Sequence, residues 1–241
     1  MKVKISVQCI TLALTLGALA CGPVHAKERM RRADSADKVL PADIDPGSRY
    51  RLPLPTAADM RNDDERKIFE ESTKGAQAPL RLTSPLLAKP LGEAHEYLKF
   101  HSQFNAREVE IAVLQTSRSL NDQFEWTQWE EHGRATRGGK PAVEHSTIEI
   151  IKYCKPLTGL DPTAATIIQY GRELFSRDHK VTSKTFAQAL KLFGKRGVVD
   201  LTDLMALYVA TATELDAYDT HLDADQKPLL PPLSKTPLCP Q

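Results

Sequence analysis

No Cys-x-x-Cys occurs in this chain of 241 residues, and only four cysteines are present: Cys9, Cys21, Cys154 and Cys239. That excludes a zinc ribbon and a thioredoxin-type redox motif. An excess of one charge is also missing. The 32 Lys and Arg balance 31 Asp and Glu, leaving a net charge of +1. A nucleic acid or other polyanion therefore gains no electrostatic hold. Alternating apolar and polar stretches are absent, so nothing reads as a sheet. Beyond the N-terminal segment, no apolar run reaches the roughly 18 residues that a membrane span needs. The double glycine Gly138-Gly139 has neither the preceding strand nor the spacing of a phosphate loop. His101, His145, His179 and His221 are scattered without metal-ligand spacing, and neither a metal nor a cofactor is expected. No Ser-His-Asp arrangement and no internal repeat can be read.

What is present begins with a targeting segment. Lys2 and Lys4 precede an apolar stretch over 10–20, and Val24-His25-Ala26 has the small-residue ending of a signal peptidase site. The reading is a signal peptide over 1–26 and an exported protein, periplasmic or secreted. The alternative is a lipoprotein anchored at Cys21, since Ala18-Leu19-Ala20-Cys21 is a weak lipobox. Cleavage after Ala26 leaves Cys154 and Cys239, an even pair that can form a disulfide in an exported protein or remain as two thiols. Residues 27–57 mix basic residues with Asp, Pro, Gly and Ser and read as an extended, flexible arm.

From residue 58 to 233 the pattern is helical, and the fold class is all-α in a single domain. Helices are predicted over 63–73, over 90–100 with Pro90 in the first turn, and over 107–118. Asp122 starts another as its cap, with Glu125 completing a capping-box pair, and that helix is read as ending near Gly138-Gly139. Further helices follow over 145–152 and after Asp161-Pro162. Thr182 or Ser183 caps the next, which Lys195-Arg196-Gly197 stops. Asp200 is read as the cap of a last helix carrying Leu201, Leu204, Tyr208, Ala212 and Leu215. The segment from Lys227 holds five of the 16 prolines and cannot be regular helix; residues 234–241 form a tail.

Three blocks, in order, carry a resemblance. The first is Glu108-Val109-Glu110-Ile111-Ala112-Val113-Leu114 with Phe124-Glu125-Trp126; the second runs from Val181 through Phe186 to Gly194; the third runs from Val199 to Asp219 and on to the prolines after Lys227. Together they resemble the carboxymuconolactone decarboxylase-like family within the alkylhydroperoxidase D superfamily, in an exported branch without the Cys-x-x-Cys motif. The resemblance implies an alkylhydroperoxidase D-like helical fold, assembly into homo-oligomers, and a pocket beside a helix pair. In that family a Glu early in the first helix faces the opening turn of the second, which carries Cys, Cys and His, or Glu-Trp-x-x-His. Glu110 fits the Glu position. Asp122, Glu125 and Trp129 occupy the Cys, Cys and His positions.

Those substitutions set the chemistry. Carboxylates cannot form a disulfide or act as a thiolate, so thiol peroxidase activity is the weakest reading. Trp129 cannot be a general base, because an indole only donates one hydrogen bond. His132 lies seven residues after Glu125, which places both on one helix face. The catalytic candidates are Glu110, His132 and Glu125, and the substrate-binding candidates are Asp122, Trp126, Trp129 and Arg107. Arg118 is a further cation that could pair with a substrate carboxylate, and His95 sits on an apolar stripe with Leu91 and Leu98. One function that fits is a decarboxylase-like lyase working by proton transfer on a small oxygenated or lactone-like acid. The other is a non-catalytic protein that binds a small molecule in a degenerate site.

Overall fold

The structure, a computed structural model, describes residues 40–72, 79–137 and 140–231. The expected signal peptide, Cys21, the first part of the arm, Gly138-Gly139, Cys239 and the tail over 234–241 lie outside the described residues. The fold is all-α. Helix α1 spans Asp63–Ser72, α2 Pro85–Glu96, α3 Ala106–Leu120, α4 Gln123–Arg134, α5 His145–Lys152, α6 Pro162–Leu174 and α7 Ser183–Ala217. Short 3₁₀ turns at Ala57–Asp59 and Pro79–Thr83 precede α1 and α2. Among the described residues, the only sheet is a two-residue hairpin pairing β1 (Thr136–Arg137) with β2 (Lys140–Pro141). Helix α4 therefore ends at Arg134, earlier than its glycine pair suggests, because the chain turns into this hairpin. No helix among the described residues is long and apolar enough to cross a membrane.

Helix α3 is the axis of the molecule, packed against α4, α5, α6 and α7. Its start is fixed by Asn105, whose side chain accepts from the Glu108 N–H (3.1 Å) while Glu108 Oε2 accepts from the Asn105 N–H (2.9 Å). Ten successive residues, Val109 through Arg118, are buried. The polar ones among them need internal partners. Thr116 and Ser117 donate to the carbonyls of Ala112 and Val113 (both 2.9 Å), Gln115 Nε2 donates to Ser119 Oγ (2.9 Å), and Arg118 Nε donates to the Lys152 carbonyl (2.8 Å). The helix closes on Asn121 in the left-handed region (φ 55, ψ 32). Asp122 follows at once as the cap of α4, accepting from the Glu125 N–H at 3.0 Å. A two-residue corner thus joins the helices that carry the candidate residues.

Helix α6 reaches α3 through Gly171, where an added Cβ would stand 2.6 Å from Gln115 Cγ. Helix α7 is two helical halves meeting at Gly194, whose φ of 66° and ψ of −180° are open to glycine alone. The interruption falls three residues before Gly197. Asp200 lies inside the second half, buried, and accepts from Tyr97 Oη at 3.2 Å. Helix α2 begins at Pro85, after Ser84, and contains Pro90 in its interior. It continues as a π-helical turn over Tyr97–His101. The described part of the expected arm has no helix before Ala57, yet it docks. Ile44 is buried, and Arg51 N–H donates to the Tyr218 carbonyl (2.9 Å).

Candidate active site

A cleft of about 1030 Å³ opens between α2 with its π turn, α4 and the second half of α7. Helix α4 presents Phe124, Glu125, Gln128, Trp129 and His132 to it; His95, Tyr97 and Lys99 line it from the facing side, and Tyr208 and Thr211 from α7. Glu125 and His132 are two helical turns apart, about 10 Å along the axis. Trp129 stands between them on the same face.

Glu110 and His132 meet although they lie on different helices. Glu110 is only 2% exposed, and its Oε2 is 2.7 Å from His132 Nδ1. Gly133 makes room for this carboxyl, since a Cβ there would stand 3.3 Å from Glu110 Oε1. A carboxylate only accepts, so the pairing places a histidine proton on Nδ1, and acid–base exchange at this ring runs through Nε2. The His132 side chain is 42% exposed. A buried carboxylate thus orients a histidine at the wall of the cleft.

Glu125 is the second proton-handling group. Burial raises its pKa to about 7, and the negative charge of Asp122 adds to the rise. A hydrogen bond from Trp129 and the positive charges of Lys99 and Arg81 oppose it. Its Oε2 is buried with no hydrogen-bond partner among the described residues. A carboxyl poised near neutrality is suited to give or take a proton. Asp122 is raised to about 6, by burial first and by Asp216 second, while the backbone N–H groups it caps pull it down. It is buried at the base of α4 and does not line the cleft.

The aromatic residues fix the walls. Trp129 stacks edge-on against His132 (centroids 5.6 Å apart) and against Tyr208 (5.4 Å). Lys99 Nζ sits 4.9 Å from the Trp129 ring. Burial holds the Lys99 pKa below its ordinary value, against the pull of Glu110, Glu125 and Glu96. His95 Nε2 lies 3.1 Å from Tyr208 Oη. Burial, with Lys99 and Arg81 nearby, lowers His95 to about 4, so it is neutral at physiological pH.

Of the seven residues expected from sequence, Glu125, Trp129 and His132 line this cleft, and Glu110 stands behind it, paired with His132. Trp126 is fully buried, and its Nε1 donates to Glu130 Oε2 at 2.5 Å. Glu130 in turn pairs with Lys152 (2.9 Å) and Arg134 (2.7 Å), a buried charge cluster behind the site. Arg107 lies elsewhere, bridging Glu144 (2.8 Å) and Asp161 (2.9 Å). Arg118 is held in the core by the Lys152 carbonyl. Lys99, Tyr208 and Arg81 were not among the expected site residues. No sequence signal marks Lys99, and Tyr208 reads only as one more residue of an apolar stripe. Among the described residues, no group of three or more His, Cys, Asp or Glu could hold a metal. Cys154 is a disulfide cysteine; Cys239, the other cysteine of the pair left open by the sequence, lies outside the described residues.

No protein-family description matches the chain, and no curated protein matches it. A solved structure does. The crystal structure of an alkylhydroperoxidase AhpD core, an uncharacterized peroxidase-related protein from Ralstonia eutropha JMP134, superposes with a TM-score of 0.51 at 15% identity, covering 72% of this chain and 92% of that one. The chain therefore has an alkylhydroperoxidase D-like fold, and at this identity the likeness is one of fold alone.

Proposed function

We propose that the cleft is the active site of a proton-transfer enzyme, a decarboxylase-like lyase acting on a small oxygenated or lactone-like acid. The observation that carries the reading is the Glu110–His132 pair at 2.7 Å on the same wall as a Glu125 raised to about 7. One group is a histidine oriented by a buried carboxylate; the other is a carboxyl whose proton is exchangeable at neutral pH. Two such groups on one face serve as base and acid for a carbon acid bound across Trp129. In the proposed step the C–H bond α to a carbonyl breaks, its proton passes to the Glu125 carboxylate, and the electron pair moves to the carbonyl oxygen. His132, in its imidazolium form with Nδ1–H held by Glu110 and a second proton on Nε2, then returns the Nε2 proton to carbon, and loss of the Glu125 proton to solvent with proton uptake at Nε2 restores the starting state. Where the substrate carries a carboxylate at the reacting carbon, loss of carbon dioxide supplies the same electron pair. Lys99 and Arg81, both lining the cleft, supply positive charge for an anionic substrate.

Thiol redox chemistry is the weaker reading, because carboxylates stand at the two positions where relatives of the fold carry cysteines. The test uses γ-lactone carboxylic acids and simple β-keto acids in D₂O, with C–H exchange followed by NMR and carbon dioxide release by a coupled assay. Wild-type protein should turn over at least one of them. Glu125→Gln and His132→Ala should each slow it by roughly a hundredfold or more. Equal rates in wild type and both variants would remove the proposal and favour a non-catalytic binding role.

A further inference from the structure

His95 and Tyr208 form a second polar pair in the cleft, on the side facing the Glu110–His132 pair across Trp129. We infer that Tyr208 is the hydrogen-bond donor to the substrate oxygen on which negative charge develops, and that His95 holds the tyrosine hydroxyl in that donating orientation. The inference rests on the proton-transfer reading above and extends it to the stabilisation of charge.

The geometry gives Tyr208 Oη two sides. On one, His95 Nε2 lies at 3.1 Å. On the other is the cleft, which Tyr208 lines, and the charges of Glu125 and Glu110 also act on the phenol. A hydroxyl has one proton and two lone pairs. When the hydroxyl turns its proton to the cleft, the oxygen offers a lone pair to His95. His95 must then carry its proton on Nε2 and donate. Its burial, with Lys99 and Arg81 at hand, keeps the ring neutral above a pH of about 4, so a single proton is shared between its two nitrogens. The result is a directed chain, His95 Nε2–H to Tyr208 Oη–H to the interior of the cleft, in which each donor polarises the next.

That chain matches the charge movement of the reaction. In the form of Glu125 that acts as base, the charge is on its carboxylate. As Glu125 takes the substrate proton it becomes neutral, while the carbonyl oxygen becomes the anion. The Tyr208 hydroxyl then has its stronger acceptor on the substrate. Burial and the two carboxyl groups hold the Tyr208 pKa well above its ordinary value, so it donates without losing its proton. A buried donor aimed at a developing oxyanion is the arrangement that lowers a barrier most. Trp129, in edge contact with both Tyr208 and His132, fixes the distance between the donor and the histidine.

Two measurements on the full chain test this. The first is the ¹⁵N spectrum of His95, assigned by its loss in His95→Gln. The expected result is a neutral ring at pH 7 with its proton on Nε2. A proton on Nδ1, with Nε2 accepting from Tyr208, overturns the inference. The second uses 4-nitrophenolate as an oxyanion probe, with binding read from its absorbance. Tyr208→Phe should weaken binding at least tenfold while keeping the ring contact with Trp129, and His95→Gln, which retains a donor, should weaken it less than His95→Phe. Unchanged binding in Tyr208→Phe, or no binding to wild type at millimolar probe, also overturns it. Neither measurement needs turnover. Inactivity toward every carbon acid, with the Nε2 proton and the phenolate binding both found, would defeat the proposed reaction and leave this donor standing.

Discussion

Replacing Glu125 with Gln should make the protein more stable at pH 8 and no more stable at pH 4. Glu125 is 9% exposed, and burial raises its pKa from 4.5 to about 7. Between those two values the folded chain holds a proton that the unfolded chain has released. Folding is therefore linked to proton uptake, and stability falls as pH climbs through that window. Above about 7 the whole cost of the buried charge is present; below about 4.5 both states are neutral here and the cost is gone. A shift of that size is worth about 3 kcal/mol. Glutamine has nearly the same volume and no charge, so the substitution removes the cost and leaves the packing. Urea unfolding of wild type and Glu125→Gln at intervals from pH 4 to 8 isolates the effect, because other titrating groups contribute alike to both curves. The difference should grow with pH and level off near pH 8. A difference that stays flat with pH, or a variant less stable than wild type at pH 8, would show that this carboxyl is not held neutral by burial.

Two further outcomes follow from packing and buried charge. Gly171→Ala should cost about 1–3 kcal/mol in denaturant unfolding, because its Cβ would meet Gln115 Cγ at 2.6 Å and Met205 Cε at 3.2 Å. Gly92→Ala, with open space around its Cβ, should instead stabilise the exposed helix α2 by about 0.5–1 kcal/mol; the opposite signs of the two make the comparison decisive. Glu130→Gln should cost about 3–5 kcal/mol by thermal unfolding, since it strands Lys152 in the core beside Trp126. The double change Glu130→Gln, Lys152→Met should recover most of that loss, and a failure to recover would point to the Trp126 and Arg134 contacts instead.

Local chemistry made much of the scaffold readable. Asp122 and Asp161 cap their helices as their positions suggest, accepting from Glu125 N–H (3.0 Å) and Ala164 N–H (2.9 Å). The helix over His145–Lys152 appears at the expected place. Reading failed where two signals of one kind compete. Pro85 and Pro90 both suit a first turn, and the structure uses Pro85. Gly194 and Gly197 both suit a helix end; the break is at Gly194, while Gly197 packs so tightly that an added Cβ would lie 2.5 Å from Gln103 Nε2. The site was half legible for a related reason. Glu125, Trp129 and His132 share one helix face, which spacing reveals. The His95–Tyr208 contact joins residues 113 positions apart, and no periodicity within one helix can report it. Arg107 looked like a substrate cation because it stands on the right helix, but it faces Glu144 and Asp161.

The helix behind the cleft and the wall that faces α4 are built differently. Residues 109–118 of α3, with Glu110 among them, are buried without interruption beneath four helices. Their amides should exchange with solvent only through global unfolding, which makes α3 a fixed support for Glu110. The facing side is built otherwise. Helix α2 has Pro85 as its one buried residue, carries Pro90 in its interior, and passes into a π turn. Proline removes a backbone hydrogen bond there and the π turn loosens the ladder further. The cleft thus lies between a deeply buried support, which holds His132 through Glu110, and a helix with little buried surface. Hydrogen exchange read by mass spectrometry should find the amides of α2 exchanging faster than those of α3.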